Sequence, residues 1–259
     1  MTPRRGLFLP IFDELADPSL LADLAAEAEA VGWDGVFVWD HVTYRAPVEG
    51  ATDPWIALAA IATRTERVLI GPMVTPLARR RPQIVARQLV AVDHLSHGRA
   101  VLGVGLGLDT SGGELSSFGE ELDDRTRAAM LDEGLDVLVA LLSGEPVDHQ
   151  GEHYRATGVR FLPAPVHGRV PIWVAARWPN RRPLRRAARH DGVFLIDVTS
   201  PADVAAAREV VGPEREIVVE QSGFNVDALA DAGATWVLTG FDPFTVTPAE
   251  VRRAIAGYE

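Results

Sequence analysis

The sequence contains no cysteine. Disulfides, thiolate catalysis and cysteine-ligated zinc or iron–sulfur clusters are excluded, and the composition fits a reducing interior. Nowhere is there a run of the ~20 apolar residues that a membrane-spanning helix needs. The N-terminus, MTPRRGLFLPIFDE, starts basic, but its apolar stretch is about six residues against the ~7–15 of a secretory signal. A cytoplasmic protein with no membrane partner is expected. Basic excess is lacking too: the formal net charge is −11 and the pI near 5.1. No arginine cluster adjoins stacking aromatics, so nucleic acid is not an expected partner.

The dinucleotide fingerprint GxGxxG is also missing. Gly103, Gly105 and Gly107 fall at alternate positions in LSHGRAVLGVGLGLD, residues 95–109, and the segment behind them, Asp109 to Ser117, is polar and glycine-rich where a helix should open. Alternate glycines leave one face of a strand end without side chains, which suggests a surface for a flat ring or a phosphate rather than for packing.

What is present is an ordinary globular composition, 47% apolar and 24% charged over 259 residues. One domain, residues 1–259, is expected. Short apolar runs that read as buried strands (Gly6–Ile11, Gly35–Trp39, Val68–Val74, Ala100–Val104) alternate with helical patterns near Pro18–Val31, Pro54–Thr65 and Pro82–Leu95. A long helical pattern, Asp123–Leu142, follows. Then Val147–Leu162 alternates polar and apolar around Gly151 and Gly158, predicting a small antiparallel hairpin. The alternation resumes with strands Ile172–Ala176, Val193–Ile196, Ile217–Val219 and Trp236–Leu238. Between and after them lie helices near Arg181–Arg189, Pro201–Val210, Asn225–Ala232 and Pro248–Ala256. Eight strands and eight helices in about 250 residues predict a (β/α)8 TIM barrel with a hairpin inserted before strand five; an open doubly wound sheet is the alternative.

In a barrel, function collects where strands end. Asp40 and His41 follow strand two directly, and a carboxylate beside an imidazole can move protons near neutral pH; the plainer reading is a capping acid and a wet histidine. Gly71 to Pro76 places proline inside a strand, which must bulge or break there. Ala175-Ala176-Arg177-Trp178 combines small residues with a cation suited to a phosphate. His149 and His153 straddle Gly151 in the hairpin, a poor arrangement for a metal, and no metal site is expected.

With those residues in place, the chain resembles the bacterial luciferase-like monooxygenase family. IGPMVTP, then RRRPQIVARQLVAVDHLSHGRAVLGVGLG, is similar to the family's IGT-x-V-x-P, R-x-P, A-x-Q and LS-x-GR-x-x-x-G-x-G-x-G signature, supported by VWDH at 38–41, Phe118-Gly119, Glu133, PIWVAA at 171–176 and Asp191-Gly192. The resemblance implies a flavin- or deazaflavin-dependent oxidoreductase that acts on a small organic substrate, often as a homodimer. It implies that His41 is the pocket histidine of proton transfer, with Asp40 the acid beside it at the ring system. Met73-Val74 would be the bulge, often with a non-prolyl cis peptide, under the central ring. Gly105, Leu106, Gly107, Ala175, Ala176, Arg177 and Trp178 would face the cofactor's side chain and phosphate, whereas Ser96 and Arg99 would be structural. Luciferase carries an arginine where this chain has Leu106; together with WDH, that favours the deazaflavin coenzyme F-420 and hydride transfer over FMN and monooxygenation. Two other functions compete: a cofactor-independent barrel hydrolase or lyase using Asp40 and His41 as acid and base, and a binding subunit without catalysis.

Overall fold

A computed structural model describes residues 2–257. Barrel strands β1 (Arg4–Leu9) and β2 (Gly35–Val38) flank helix α1 (Pro18–Val31), and α2 (Pro54–Arg64) leads to β3 (Leu69–Pro72). A two-residue strand, β4 (Thr75–Pro76), then precedes α3 (Pro82–Leu95), β5 (Leu102–Gly105) and α4 (Asp124–Leu142). The hairpin β6 (Val147–Gln150) and β7 (Arg155–Val159) intervenes. The rest alternates as expected: β8 (Ile172–Arg177), α5 (Arg181–Ala187), β9 (Gly192–Ile196), α6 (Pro201–Val211), β10 (Glu216–Glu220), α7 (Val226–Asp231), β11 (Trp236–Gly240) and α8 (Pro248–Ala256).

The helices start where local chemistry requires. Pro18, Pro54, Pro82, Pro201 and Pro248 each occupy a first helical turn, where the missing N–H costs nothing. Asp17, Asp53, Asp123, Asn225 and Thr247 accept hydrogen bonds from the backbone amides that follow them. Among the described residues no helix is long and apolar enough to cross a membrane.

The main sheet runs β3-β2-β1-β11-β10-β9-β8-β5-β4, and all its pairings are parallel. The expected third strand, Val68–Val74, is divided. β3 pairs with β2 as far as Pro72, the Met73–Val74 peptide is cis, and β4 pairs instead with β5. Counting the halves as one strand gives the eight of a (β/α)8 barrel. The Ile70–Ala100 bridge closes the ring: Ile70 N donates to Arg99 O at 3.0 Å and Val101 N to Ile70 O at 2.9 Å.

Two apolar cores follow from strand alternation. Outward residues meet the helices. Inward residues, among them Phe8, Phe37, Trp173, Phe194, Val218 and Trp236, fill the lumen and pack edge-on or tilted. Each such burial stabilises by about 1.5–3 kcal/mol, so the lower barrel is a packed core. Below it, buried Arg99 saturates its guanidinium. Nε donates to Ser96 O, Nη1 to Thr65 Oγ1 and Val68 O, and Nη2 to Ala62 O and Thr65 O, at 2.7–3.2 Å. Glu29 of α1 answers from the other side, accepting the backbone amides of Glu66, Arg67 and Val68. Both tie the turn before β3 to the base.

Glu133 of α4 anchors the hairpin. It accepts from His149 Nε2 at 3.0 Å, His153 N at 2.9 Å and Tyr154 N at 2.7 Å. Burial alone would raise this carboxyl, but the His149 hydrogen bond and the two amides hold it down at about 2.

Candidate active site

The mouth is built from a histidine and a carboxylate that lie 73 residues apart. His41 follows β2; Glu114 arrives on the loop after β5. That loop is shaped by Asp109, whose Oδ1 accepts the amides of Leu115 and Ser116 at 2.8 Å. Gly112 lets it approach the chain at Tyr44, because a Cβ there would lie 2.7 Å from Tyr44 C. The result is a 3.0 Å contact between His41 Nδ1 and Glu114 Oε2, with Glu114 only 1% exposed and His41 20%.

Burial pushes Glu114 upward, but His41, Arg79 and the Val42 amide together hold its carboxyl below the usual range. An ionised carboxylate only accepts, so Nδ1 of His41 carries the proton of this contact and Nε2 is the ring nitrogen left without a partner in it. The ring sits in an aromatic collar: Phe12 at 5.8 Å, Trp39 at 5.8 Å and Tyr44 at 5.2 Å, with Phe244 tilted against Tyr44 at 5.7 Å.

Asp40 does something different from its neighbour. It is 1% exposed, and its oxygens accept from Thr75 Oγ1 at 2.8 Å, Arg80 Nη2 at 2.7 Å and Arg79 Nη2 at 3.2 Å. Arg79 also lies 3.6 Å from Glu114. Asp40 thus clamps the two arginines behind the dyad, and neither of its oxygens is left for a substrate.

Three further groups of expected site residues have neighbours of their own. The alternate glycines are a packing surface as well: a Cβ at Gly103 would lie 2.5 Å from Pro72 O and 2.7 Å from Met73 Sδ, and one at Gly105 2.9 Å from Val74 Cγ2. These glycines make room for the bend between β3 and β4. Gly107, at φ +75, similarly passes Pro76. Second, Ala176 is buried in the outer core while Ala175 is half-buried and would touch a Cβ of Gly105 at 3.4 Å. The inward residue is therefore Ala175; Leu106 and Trp178 also lean on the outer core. Third, Arg177 is exposed and paired with Asp197, and Arg181 stacks on Trp178 at 5.1 Å. A phosphate at Arg177 would have to compete with Asp197.

What is left open at the mouth fits a planar, polar-edged ring. Met73 and Val74 sit at the lumen's upper layer beside Gly105 and Ala175. Trp39 is half-buried against the lumen cluster, and its indole N–H is buried without a hydrogen-bond partner among the described residues. Such an orphaned donor beside bare backbone is where a bound group would be expected to accept. A cleft of about 530 Å³ also opens outside the barrel, between α3, α4 and the hairpin, but none of the mouth residues lines it. Among the described residues no three His, Asp or Glu side chains converge as a metal would require.

The sequence matches a model of the luciferase-like monooxygenases over residues 6–212. The chain belongs to that family. Among luciferase-like relatives, an F-420-dependent glucose-6-phosphate dehydrogenase from Nakamurella multipartita is 33% identical over 219 residues, 82% of this chain and 61% of the relative. The phthiodiolone/phenolphthiodiolone dimycocerosates ketoreductase of Mycobacterium tuberculosis is 29% identical, across 90% of this chain and 60% of its own length. The chain thus spans about three fifths of each. A coenzyme F-420-dependent tetrahydromethanopterin reductase from Methanopyrus kandleri superposes with TM-score 0.80 at 16% identity, covering 100% of this chain and 98% of that one. That likeness establishes the luciferase-like barrel fold.

Glu114, Arg79 and Arg80 were not singled out by sequence reasoning as site residues, and Trp39 entered only as part of the WDH motif. The one signal for Glu114 was the glycine pair before it, which marks a loop free to turn back toward the mouth.

Proposed function

We propose that the chain, as one barrel domain over residues 1–259, is an oxidoreductase that uses the deazaflavin coenzyme F-420 to exchange hydride with a small organic substrate at an alcohol or carbonyl carbon. The observation that carries this reading is the His41–Glu114 pair, whose imidazole lies in an aromatic collar at the mouth. The naming of several relatives as F-420-dependent supports the choice of cofactor over FMN. Leu106, in place of a phosphate-binding arginine, supports it too.

Met73, Val74, Gly105 and Ala175 would hold the ring, and Trp39 would donate to it. When bound, a deazaflavin supplies two-electron chemistry, accepting or returning hydride. The rest falls to the protein. Nε2 of His41 takes the proton of a substrate hydroxyl as the carbon is oxidised, and returns it in the reductive direction. Glu114 stabilises the imidazolium and fixes the ring's tautomer through Nδ1. Asp40, through Arg79, holds Glu114 in place. The collar excludes water, which strengthens each of these contacts.

His41→Ala tests the reading. Turnover with F-420 is expected to fall about 10²–10⁴-fold, the usual contribution of a positioned base, while F-420 affinity by fluorescence titration changes less than about threefold. A wild-type protein that does not bind F-420, or a variant with undiminished turnover, overturns it.

A further inference from the structure

Glu220 ends β10 with its side chain turned into the barrel. Val218, two residues earlier, belongs to the lumen cluster, so strand alternation puts Glu220 on the same face one layer higher, at the floor of the mouth. Gly240 of β11 makes room for it: a Cβ there would lie 2.2 Å from Glu220 Oε1. Phe8, paired with Gly240 across β1, packs on Trp39 at 5.3 Å, and Trp39 packs on His41 at 5.8 Å. The carboxyl group therefore shares a wall with the histidine.

Nothing nearby balances it. Among the described residues none hydrogen-bonds or ion-pairs with the Glu220 side chain. The flanking lumen positions are Ile196 on β9 and Leu238 and Gly240 on β11, apolar or bare. The rim charges on β8 and after β9, Arg177 and Asp197, are closed on each other. Lower on β10, Glu216 pairs with Arg4. Burial without a cation pushes the Glu220 carboxyl above its usual range. A carboxyl that holds its proton there is a hydrogen-bond donor as well as an acceptor.

A flavin presents methyl groups along its benzenoid edge. An F-420-type deazaflavin carries there a phenolic hydroxyl whose conjugate anion is delocalised into the ring. A protonated carboxylic acid can donate to that oxygen; against methyl groups it would be covered without a partner. We propose that Glu220 is a specificity-determining residue that hydrogen-bonds the phenolic oxygen of a deazaflavin and thereby discriminates against dimethylated flavins. This rests on the deazaflavin reading above and names the residue that enforces it.

The probes are the 5′-phosphates of 8-hydroxy-5-deazariboflavin and of 5-deazariboflavin, which differ only on the benzenoid edge. Fluorescence titration of the wild-type protein should show the hydroxylated ring bound about tenfold to a hundredfold more tightly. Glu220→Leu should abolish that ratio by weakening the hydroxylated ring alone, and Glu220→Gln, which still donates, should keep part of it. The absorbance titration of the bound phenol should move to higher pH in Glu220→Leu, because the donor that favours its anion is gone. Equal affinities in the wild type, or an unchanged ratio in Glu220→Leu, overturn the inference. In either of those outcomes the probes still bind and the deazaflavin reading survives. If neither probe nor F-420 binds to the wild type, that reading fails and the inference with it.

Discussion

The two ends of the barrel treat buried charge in opposite ways. At the base, Arg99 uses every guanidinium N–H on a carbonyl or hydroxyl, and Glu29 fills its oxygens with backbone amides. At the mouth, among the described residues, Arg79 and Arg80 leave Nε unpaired and Trp39 its indole N–H, and the half-buried Glu220 lacks a cation. Saturated groups stabilise a fold and have nothing to offer a ligand. Unsaturated ones cost stability until something binds. The difference agrees with a functional mouth, although Trp236 at the base leaves its indole N–H unpaired as well.

The comparison breaks most readily at the base. Arg99→Met leaves the carbonyls of Ala62, Thr65, Val68 and Ser96 without their donors, and a loss of about 3–5 kcal/mol is expected in urea unfolding. Turnover per folded molecule should stay within about twofold; a catalytic defect without a stability defect would mean that the base is not purely structural.

Glu114→Gln inverts the pattern. Turnover should fall about tenfold to a hundredfold, because the amide no longer stabilises the imidazolium, while the unfolding free energy changes by about 1 kcal/mol or less. A parallel loss in both would make Glu114 part of the scaffold. The depressed acidity of Glu114 also sets a pH window. Its stabilising contribution is complete above the unfolded value of 4.5 and is lost as pH falls through the lower folded value. Across the neutral range Glu114 therefore remains the acceptor for His41.

The smallest effect is local. Glu133, held at about 2, keeps its contribution to the hairpin above pH 4.5 and loses it between 4.5 and about 2. Amide-exchange protection at His153 and Tyr154 should fade over that interval, and Glu133→Gln should remove the pH dependence. Fading that persists in the variant would assign it to another group.

The fold was legible because its information is periodic: apolar runs, proline-started helices and a hairpin texture each declare themselves within a few residues. Features of the site that depend on long-range geometry were not. Glu114 sits on an aperiodic loop, so nothing local ties it to His41. Which of Ala175 and Ala176 faces the lumen turns on a single step of register, which composition cannot resolve because both residues are alanine. The packing role of Gly103 and Gly105 was hidden for a related reason. A strand face without side chains looks the same in sequence whether a ligand or the neighbouring strand fills it, and only the course of Pro72 to Val74 decides. Asp40 was visible as an acid beside a histidine, but the arginines that occupy it follow 39 and 40 residues later.

Because one strand changes partner at its midpoint, from β2 to β5, the seam of the cylinder and the floor of the mouth are the same few residues. The usual modularity of barrels, in which rims diversify over a constant frame, is suspended there. Grafting new rim loops elsewhere leaves the frame untouched, but exchanging residues 71–76 would retune closure and recognition together, so an engineered change of specificity is best sought anywhere else on the rim.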